Sequence, residues 1–173
     1  MKKIMAIALS MILLLGFSAC GESGSITWED VTVGEISFKV DTNWVSEEDF
    51  EAEDSRMYII EEILEDDTLA SLSVYILCLP ETMEEALLID QEYLGDFLAD
   101  LKIINMESFE IGGKPAVKRK MIGENSNGIT LVTYSVYIQC EEGIYRFNFG
   151  MPKSYSEEND YDNIFEEFIT YIK

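Results

Sequence analysis

The chain has 173 residues, with 34 acidic side chains against 12 basic ones, a formal net charge of −22 and no histidine. This balance excludes nucleic acid and anionic lipid as partners, because both are held by clustered Lys and Arg. The missing imidazole excludes His-based catalysis and His-ligated metals. A hydrophobic content of 47% with 12% aromatic residues excludes wholesale disorder, and the length suits one domain with a proper core.

Lys2 and Lys3 are followed by an apolar run from Ile4 to Leu15 and then by Gly16-Phe17-Ser18-Ala19-Cys20. A basic start, an apolar run of this length and small residues before a break have the anatomy of an export signal. The stretch from Ile4 to Ala19 is shorter than the about 20 apolar residues of a membrane-spanning helix, and Ser10, Gly16 and Ser18 interrupt it. Phe17-Ser18-Ala19-Cys20 resembles the lipobox of bacterial lipoproteins, with Phe17 where that family usually has Leu. The resemblance implies cleavage after Ala19 and a diacylglyceryl lipid on the Cys20 thiol. An ordinary secretory peptide is the alternative, and it leaves Cys20 unexplained. Two acyl chains anchor stably where one gives only marginal, reversible attachment. The chain thus divides into a signal peptide (1–19), a lipidated N-terminus with a short linker (20–25) and one domain (26–173). Without Lys2 and Lys3, ten basic residues face 34 acidic ones.

From Ile26 the hydrophobic period is two. Trp28, Val31 and Val33 lead to a turn at Gly34-Glu35, and Ile36, Phe38 and Val40 alternate with Ser37 and Lys39, which predicts a hairpin. Asp41 to Trp44 ends it. Residues 46–67 hold eleven acidic groups and one base, Arg56, around a strand-like run from Met57 to Leu64. A strand is predicted from Leu69 to Leu79, stopped by Pro80. Thr82 and Glu85 form a capping box. Behind it Ala86, Leu87, Tyr93, Leu94, Phe97, Leu98 and Leu101 recur at helical spacing, predicting an amphipathic helix over about 82–100. A meander follows: Ile103 to Ile111, a turn at Gly112-Gly113, Ala116 to Ile122, a turn at residues 125–128, Ile129 to Cys140, and Ile144 to Phe149. Ser154 and Glu157 suggest a second capping box, and Tyr161, Ile164, Phe165, Phe168, Ile169 and Ile172 make the stripe of a last helix.

This order predicts an α+β domain, an antiparallel sheet packed with two main amphipathic helices. Ile36 to Trp44 resembles the opening strand and turn of PsbP-like domains, with Asp41 in place of their Pro and Asn43 in place of their Gly. Ile111-Gly112-Gly113-Lys114-Pro115-Ala116 is similar to their central hairpin, and the Tyr-rich last helix fits as well. The resemblance spans about residues 26–173 and implies a PsbP-like α/β sandwich with a non-enzymatic precedent.

Residues that could carry chemistry are few. Gly112-Gly113 lacks the strand-to-helix setting of a phosphate loop. A Ser or Cys nucleophile lacks its usual His base. The acidic stretch reads as a solvated charge run, with a cation site as the less favoured reading. Lys114, Lys118, Arg119 and Lys120 read as the outer face of a hairpin. On the strand 129–140, Thr133, Ser135, Tyr137 and Gln139 share one side. Arg146 and Asn148 on the next strand match them, and so do Ser73 and Tyr75. These eight predict a mostly uncharged polar sheet face open to solvent and suited to peptide or glycan contact, with a merely solvated sheet face as the favoured alternative. Cys78 and Cys140 fall on the core side; two buried free thiols are favoured, with a disulfide as the alternative. The expected function is a lipid-anchored extracytoplasmic binding or accessory module at the cell surface. Its expected partners are the membrane through the anchor and a membrane-proximal protein or peptide, with a glycan also open. No cofactor is expected beyond the lipid on Cys20. A surface enzyme using carboxylates without His is the alternative.

Overall fold

The computed structural model describes residues 27–47, 55–63, 68–77 and 82–173. The signal, Cys20 and its linker, much of the acidic stretch between 46 and 67, and Cys78 with Pro80 lie outside the described residues. Among the described residues, no helix is long and apolar enough to cross a membrane.

The first two strands, β1 (Trp28–Val33) and β2 (Ile36–Asp41), form the expected hairpin as a separate two-stranded sheet. Its turn needs a left-handed residue, and Gly34 supplies one at φ +52°. The Asp41 side chain then accepts the Asn43 backbone N–H at 3.0 Å, so a carboxylate makes the turn where PsbP-like domains use Pro. Seven strands build the main sheet: β3 (Val45–Ser46), β4 (Ser55–Ile63), β5 (Thr68–Leu77), β6 (Ala99–Ile111), β7 (Lys114–Glu124), β8 (Thr130–Gln139) and β9 (Ile144–Pro152). Their order is β3-β4-β5-β9-β8-β7-β6, and every pairing is antiparallel. The four-strand meander therefore returns its last strand beside β5. Gly112 and Gly113, both with positive φ, close the two-residue turn between β6 and β7, as this turn type requires.

Period-two alternation gives the sheet two different sides. On one side Val132, Tyr134, Val136 and Ile138 of β8 and Tyr145, Phe147 and Phe149 of β9 meet the β1–β2 hairpin and the C-terminal helices. Phe147 and Phe149 stack edge-on against Phe168 at 5.6 and 5.0 Å, and Phe38 closes on Phe147 at 5.1 Å. Cys140 packs at the margin of this core as a half-buried free thiol. The C-terminal Lys173 exchanges two backbone hydrogen bonds with Ser37, extending the hairpin's edge.

Three helices appear among the described residues, and the sheet dominates them, which corrects the expectation of two main helices. Helix α1 (Met83–Phe97) starts as predicted, with Thr82 Oγ1 accepting the Glu85 N–H at 3.2 Å. It ends earlier than the hydrophobic pattern suggested. Leu98 is already extended, and β6 begins at Ala99 with two register shifts near its start. The predicted last helix is two. In α2 (Lys153–Glu158), Ser154 lies inside the helix and Pro152 stands at the cap without a side-chain bond, so the second capping box does not form. Asp160 then adopts φ +55°, and α3 (Tyr161–Thr170) carries most of the predicted stripe, with Tyr161, Phe165 and Phe168 buried; Ile172, past the end of the helix, is buried as well. Helices α2 and α3 cover the aromatic side of the sheet, and α1 lies over the other.

Candidate functional site

Strand register brings the eight candidate residues together. Ser73 sits opposite Asn148 and Tyr75 opposite Arg146 across β5 and β9, while Ser135 and Tyr137 face the same two residues across β8 and β9. The expectation that this face is open is corrected. Helix α1 lies over it, so Thr133, Ser135, Tyr137 and Arg146 are buried, and Ser73, Tyr75, Gln139 and Asn148 are half-buried. The local reason is that α1 turns Ala86 and Asp90 inward, and the sheet beneath offers Tyr137, Ile144 and Leu77 as its apolar seat.

Under α1 is a buried ionic cluster that the sequence reading missed. Asp90 Oδ2 accepts from both Arg119 and the Tyr137 hydroxyl, and its Oδ1 pairs with Arg146 at 2.5 Å. Arg119 also donates to Tyr137 Oη at 2.7 Å and to the Leu87 carbonyl at 3.0 Å, which ties β7 to the helix backbone. Arg146 donates to Asn148 Oδ1 at 3.2 Å, and Ser135 Oγ donates to the same atom at 2.9 Å. The Arg146 guanidinium lies over the Tyr75 ring at 5.2 Å. Arg119 is 1% exposed, Arg146 3% and Asp90 5%. Burial raises the Asp90 carboxyl above its ordinary range, against the pull of Tyr137 and Arg119. Burial brings Arg146 down to about 9 and pushes the Tyr137 phenol upward. The phenol is therefore neutral at pH 7, and two guanidiniums share one carboxylate. Among the described residues, three buried side-chain atoms have no partner: Arg119 Nε, Arg146 Nε and Thr133 Oγ1.

The signals for these residues were present in weak form. Asp90 interrupts the apolar run of the helix four residues after Ala86 and four before Leu94. Period two separates Arg119 from Lys118 and Lys120, so the basic cluster could not all face outward. Lys118 pairs with Glu166 at 2.8 Å, Lys120 with Asp162 at 2.6 Å and Lys114 with Glu35 at 3.7 Å, while Arg119 points through to the other side. Among the described residues, no group of three or more Cys, Asp or Glu could hold a metal ion.

Helix α1 leaves apolar grooves on both of its flanks, two of them large. One, of about 490 Å³, runs between its C-terminal half and the ends of β5, β8 and β9, with Leu94, Phe97, Leu131 and Met151 on its walls and Thr133 on its floor. The other, of about 450 Å³, lies between α1 and β6–β7 and is lined by Met83, Leu87, Leu88, Ile103, Met106 and Arg119, among others. The outer surface of the helix is apolar too: Leu88 and Tyr93 are each 57% exposed and Phe97 60%. The expected burial of Tyr93 and Phe97 therefore fails. The stripe is wider than the strip of sheet that α1 covers.

No protein-family model matches the sequence, and no curated protein matches it. Among solved structures, the chain is similar to cyanobacterial PsbP (CyanoP) from Synechocystis sp. PCC 6803. The TM-score is 0.63 at 12% identity, over 91% of this chain and 98% of that one. It is also similar to PA94 from Pseudomonas aeruginosa, a protein of unknown function described as a putative regulator. There the TM-score is 0.50 at 11% identity, over 79% of this chain and 93% of that one. At such identities the likeness speaks for the fold alone. The chain has the PsbP-like fold, in a form dominated by one antiparallel sheet.

Proposed function

We propose that the chain is a lipid-anchored extracytoplasmic binding or accessory module, held at the cell surface through Cys20, which engages its partner on the α1 side of the sheet. The observation that carries the reading is the outer surface of α1, where Leu88, Ile89, Tyr93 and Phe97 are exposed together beside two apolar grooves. Contiguous apolar surface of this kind marks interaction sites in folded proteins. The helix carries Glu84, Glu85, Glu92 and Asp96 and no Lys or Arg, so a partner with apolar contacts and a basic rim is favoured. A membrane-proximal protein or peptide fits this surface better than a glycan, because most of the hydroxyl-bearing face lies beneath the helix. A non-enzymatic role is supported by Asp90, whose carboxylate oxygens are already held by two guanidiniums and a phenol.

Crosslinking of the membrane-anchored chain tests the reading. Wild type is expected to give a defined adduct that Leu88→Glu with Phe97→Glu abolishes while the fold is retained. The same adduct from both chains removes the α1 surface from consideration. The tether is tested separately: Cys20→Ser abolishes membrane retention and the lipid mass on the N-terminal peptide of the mature chain. Wild type found wholly in the medium without that mass ends the lipoprotein reading.

A further inference from the structure

The cluster under α1 is unbalanced. Arg119 and Arg146 are both buried and share the one carboxylate of Asp90, with Tyr137 neutral between them. A buried cation in excess of its counter-charge is costly unless something supplies the missing anion. The net charge of the chain does not help, because exposed acids are screened over about 8 Å at physiological salt. The unsatisfied positions are specific. Arg119 spends Nη1 on the Leu87 carbonyl and Nη2 on Asp90 and Tyr137, and its Nε–H has no acceptor.

Arg119 also lines the groove between α1 and β6–β7. The rest of that groove is chiefly hydrocarbon, from Met83, Leu87, Leu88, Ile103, Met106 and Val117. Gln91, Ser108 and the exposed Glu84 complete the lining. Its volume of about 450 Å³ lies within the roughly 300–1,000 Å³ of small-molecule sites, and a few polar groups in a chiefly apolar lining are their usual make-up. Leu88, Ile103 and Met106 stand 57%, 43% and 54% exposed along it, which leaves apolar surface for a ligand to cover. The groove across the helix lacks the charge: its one orphaned polar atom is the neutral Thr133 hydroxyl.

We propose that the groove between α1 and β6–β7 binds a linear aliphatic carboxylate, its head group accepting from Arg119 Nε and its chain lying along Leu87, Ile103 and Met106. The carboxylate supplies the missing counter-charge and the missing acceptor in one group, and the chain covers the exposed apolar wall. Nε–H is buried, so the head reaches it by displacing a flexible methionine of the lining, Met83 or Met106. This proposal rests on the reading of the α1 side as the binding side and names a ligand class for one of its grooves. It can fail while the crosslinking and the tether succeed.

Titration calorimetry of the purified full chain with dodecanoate, below its micellar concentration, tests it. One saturable site is expected, with dodecanol and dodecyltrimethylammonium each at least tenfold weaker. Ile103→Glu, at an exposed position of β6, is expected to lower dodecanoate affinity at least tenfold, while Phe97→Glu in the opposite groove changes it less than twofold. Arg119→Gln is expected to abolish the preference for dodecanoate over dodecanol; should that variant not fold, the Ile103 and Phe97 pair carries the decision. Absence of a saturable site, equal or tighter binding of the alcohol or the cation, or loss on Phe97→Glu with retention on Ile103→Glu overturns the proposal.

Discussion

The two sides of the central sheet are made by alternate residues of the same strands, yet they are built on opposite principles. On the side of α2 and α3, Phe147 and Phe149 meet Phe38, Phe165 and Phe168 in an edge-on aromatic core, with Tyr145 in the same cluster. Each such ring removes some 150–250 Å² from water, which makes this side the main source of stability. On the α1 side, the residues between those rings are Arg146 and Asn148. The helix above them is held by a shared carboxylate and a short apolar seat. A buried ion cluster fixes geometry but contributes little net stability, because desolvation offsets its attraction. The difference teaches where binding can occur. A helix clamped at Asp90 leaves grooves on both flanks and Leu88, Tyr93 and Phe97 exposed, while α3 buries Tyr161, Phe165 and Phe168 and keeps Ile164 and Ile169 half-buried.

The comparison can be broken most directly by truncation. Phe149→Ala is expected to cost about 3–5 kcal/mol, since a large ring leaves a cavity that the core cannot fill. Phe97→Ala on the outside of α1 should stay within about 0.5 kcal/mol. Urea unfolding of the two variants measures both; similar losses would show that the α1 side is as tightly built as the other.

The ionic cluster sharpens the contrast. Asp90→Asn leaves two buried guanidiniums without a carboxylate and should cost about 3 kcal/mol or more. Replacing the whole cluster, with Asp90→Leu, Arg119→Met and Arg146→Met together, should recover most of that loss, because the desolvation cost goes with the charges. If the triple variant is less stable than Asp90→Asn alone, the cluster is a net source of stability and the contrast between the sides narrows.

Gly34 probes how the hairpin is clasped to the aromatic side. The Glu35 N–H donates to Tyr145 Oη at 2.8 Å, and a Cβ on Gly34 would run into that hydroxyl. Gly34→Ala is therefore expected to cost about 1–2 kcal/mol for the left-handed backbone, and more for the clash. Thermal unfolding of Gly34→Ala, Tyr145→Phe and the pair should show non-additivity, with the second change relieving part of the first. Strict additivity would mean that the backbone conformation carries the whole cost.

The smallest expected effect lies in alkaline pH. Burial raises the phenols of Tyr134, Tyr137 and Tyr145, so the folded chain keeps protons that the unfolded chain releases near pH 10. The unfolded state then binds fewer protons, so their contribution is whole below about pH 10 and declines as pH rises beyond it. Arg146, at about 9, works in the opposite direction, so the phenols are read by difference. The stability of wild type relative to Tyr137→Phe, from denaturant midpoints, is expected to fall between pH 9 and 11. A constant or rising difference across that interval would overturn it.

Local chemistry made much of the fold legible. Alternation at Ile36, Phe38 and Val40, the Gly112-Gly113 turn, the Thr82 cap and the Tyr161-to-Ile172 stripe each act over a few residues, and each stands where the pattern put it. The parity of β8 and β9 correctly separated Phe147 and Phe149 from Arg146 and Asn148. Strand register then joined the eight polar candidates on one face. What covers that face was not legible. A period of two states which side of a strand a residue lies on, and a period of about 3.6 states which side of a helix; neither states where the helix comes down. Only the crossing of α1 from β5 to β6 brings Asp90 onto Arg119, 29 residues on in sequence, and onto Arg146, and so turns an expected solvent face into a buried cluster. The same placement decided that Tyr93 and Phe97 stay outside, because a helix buries only as much of its apolar stripe as the sheet beneath it reaches.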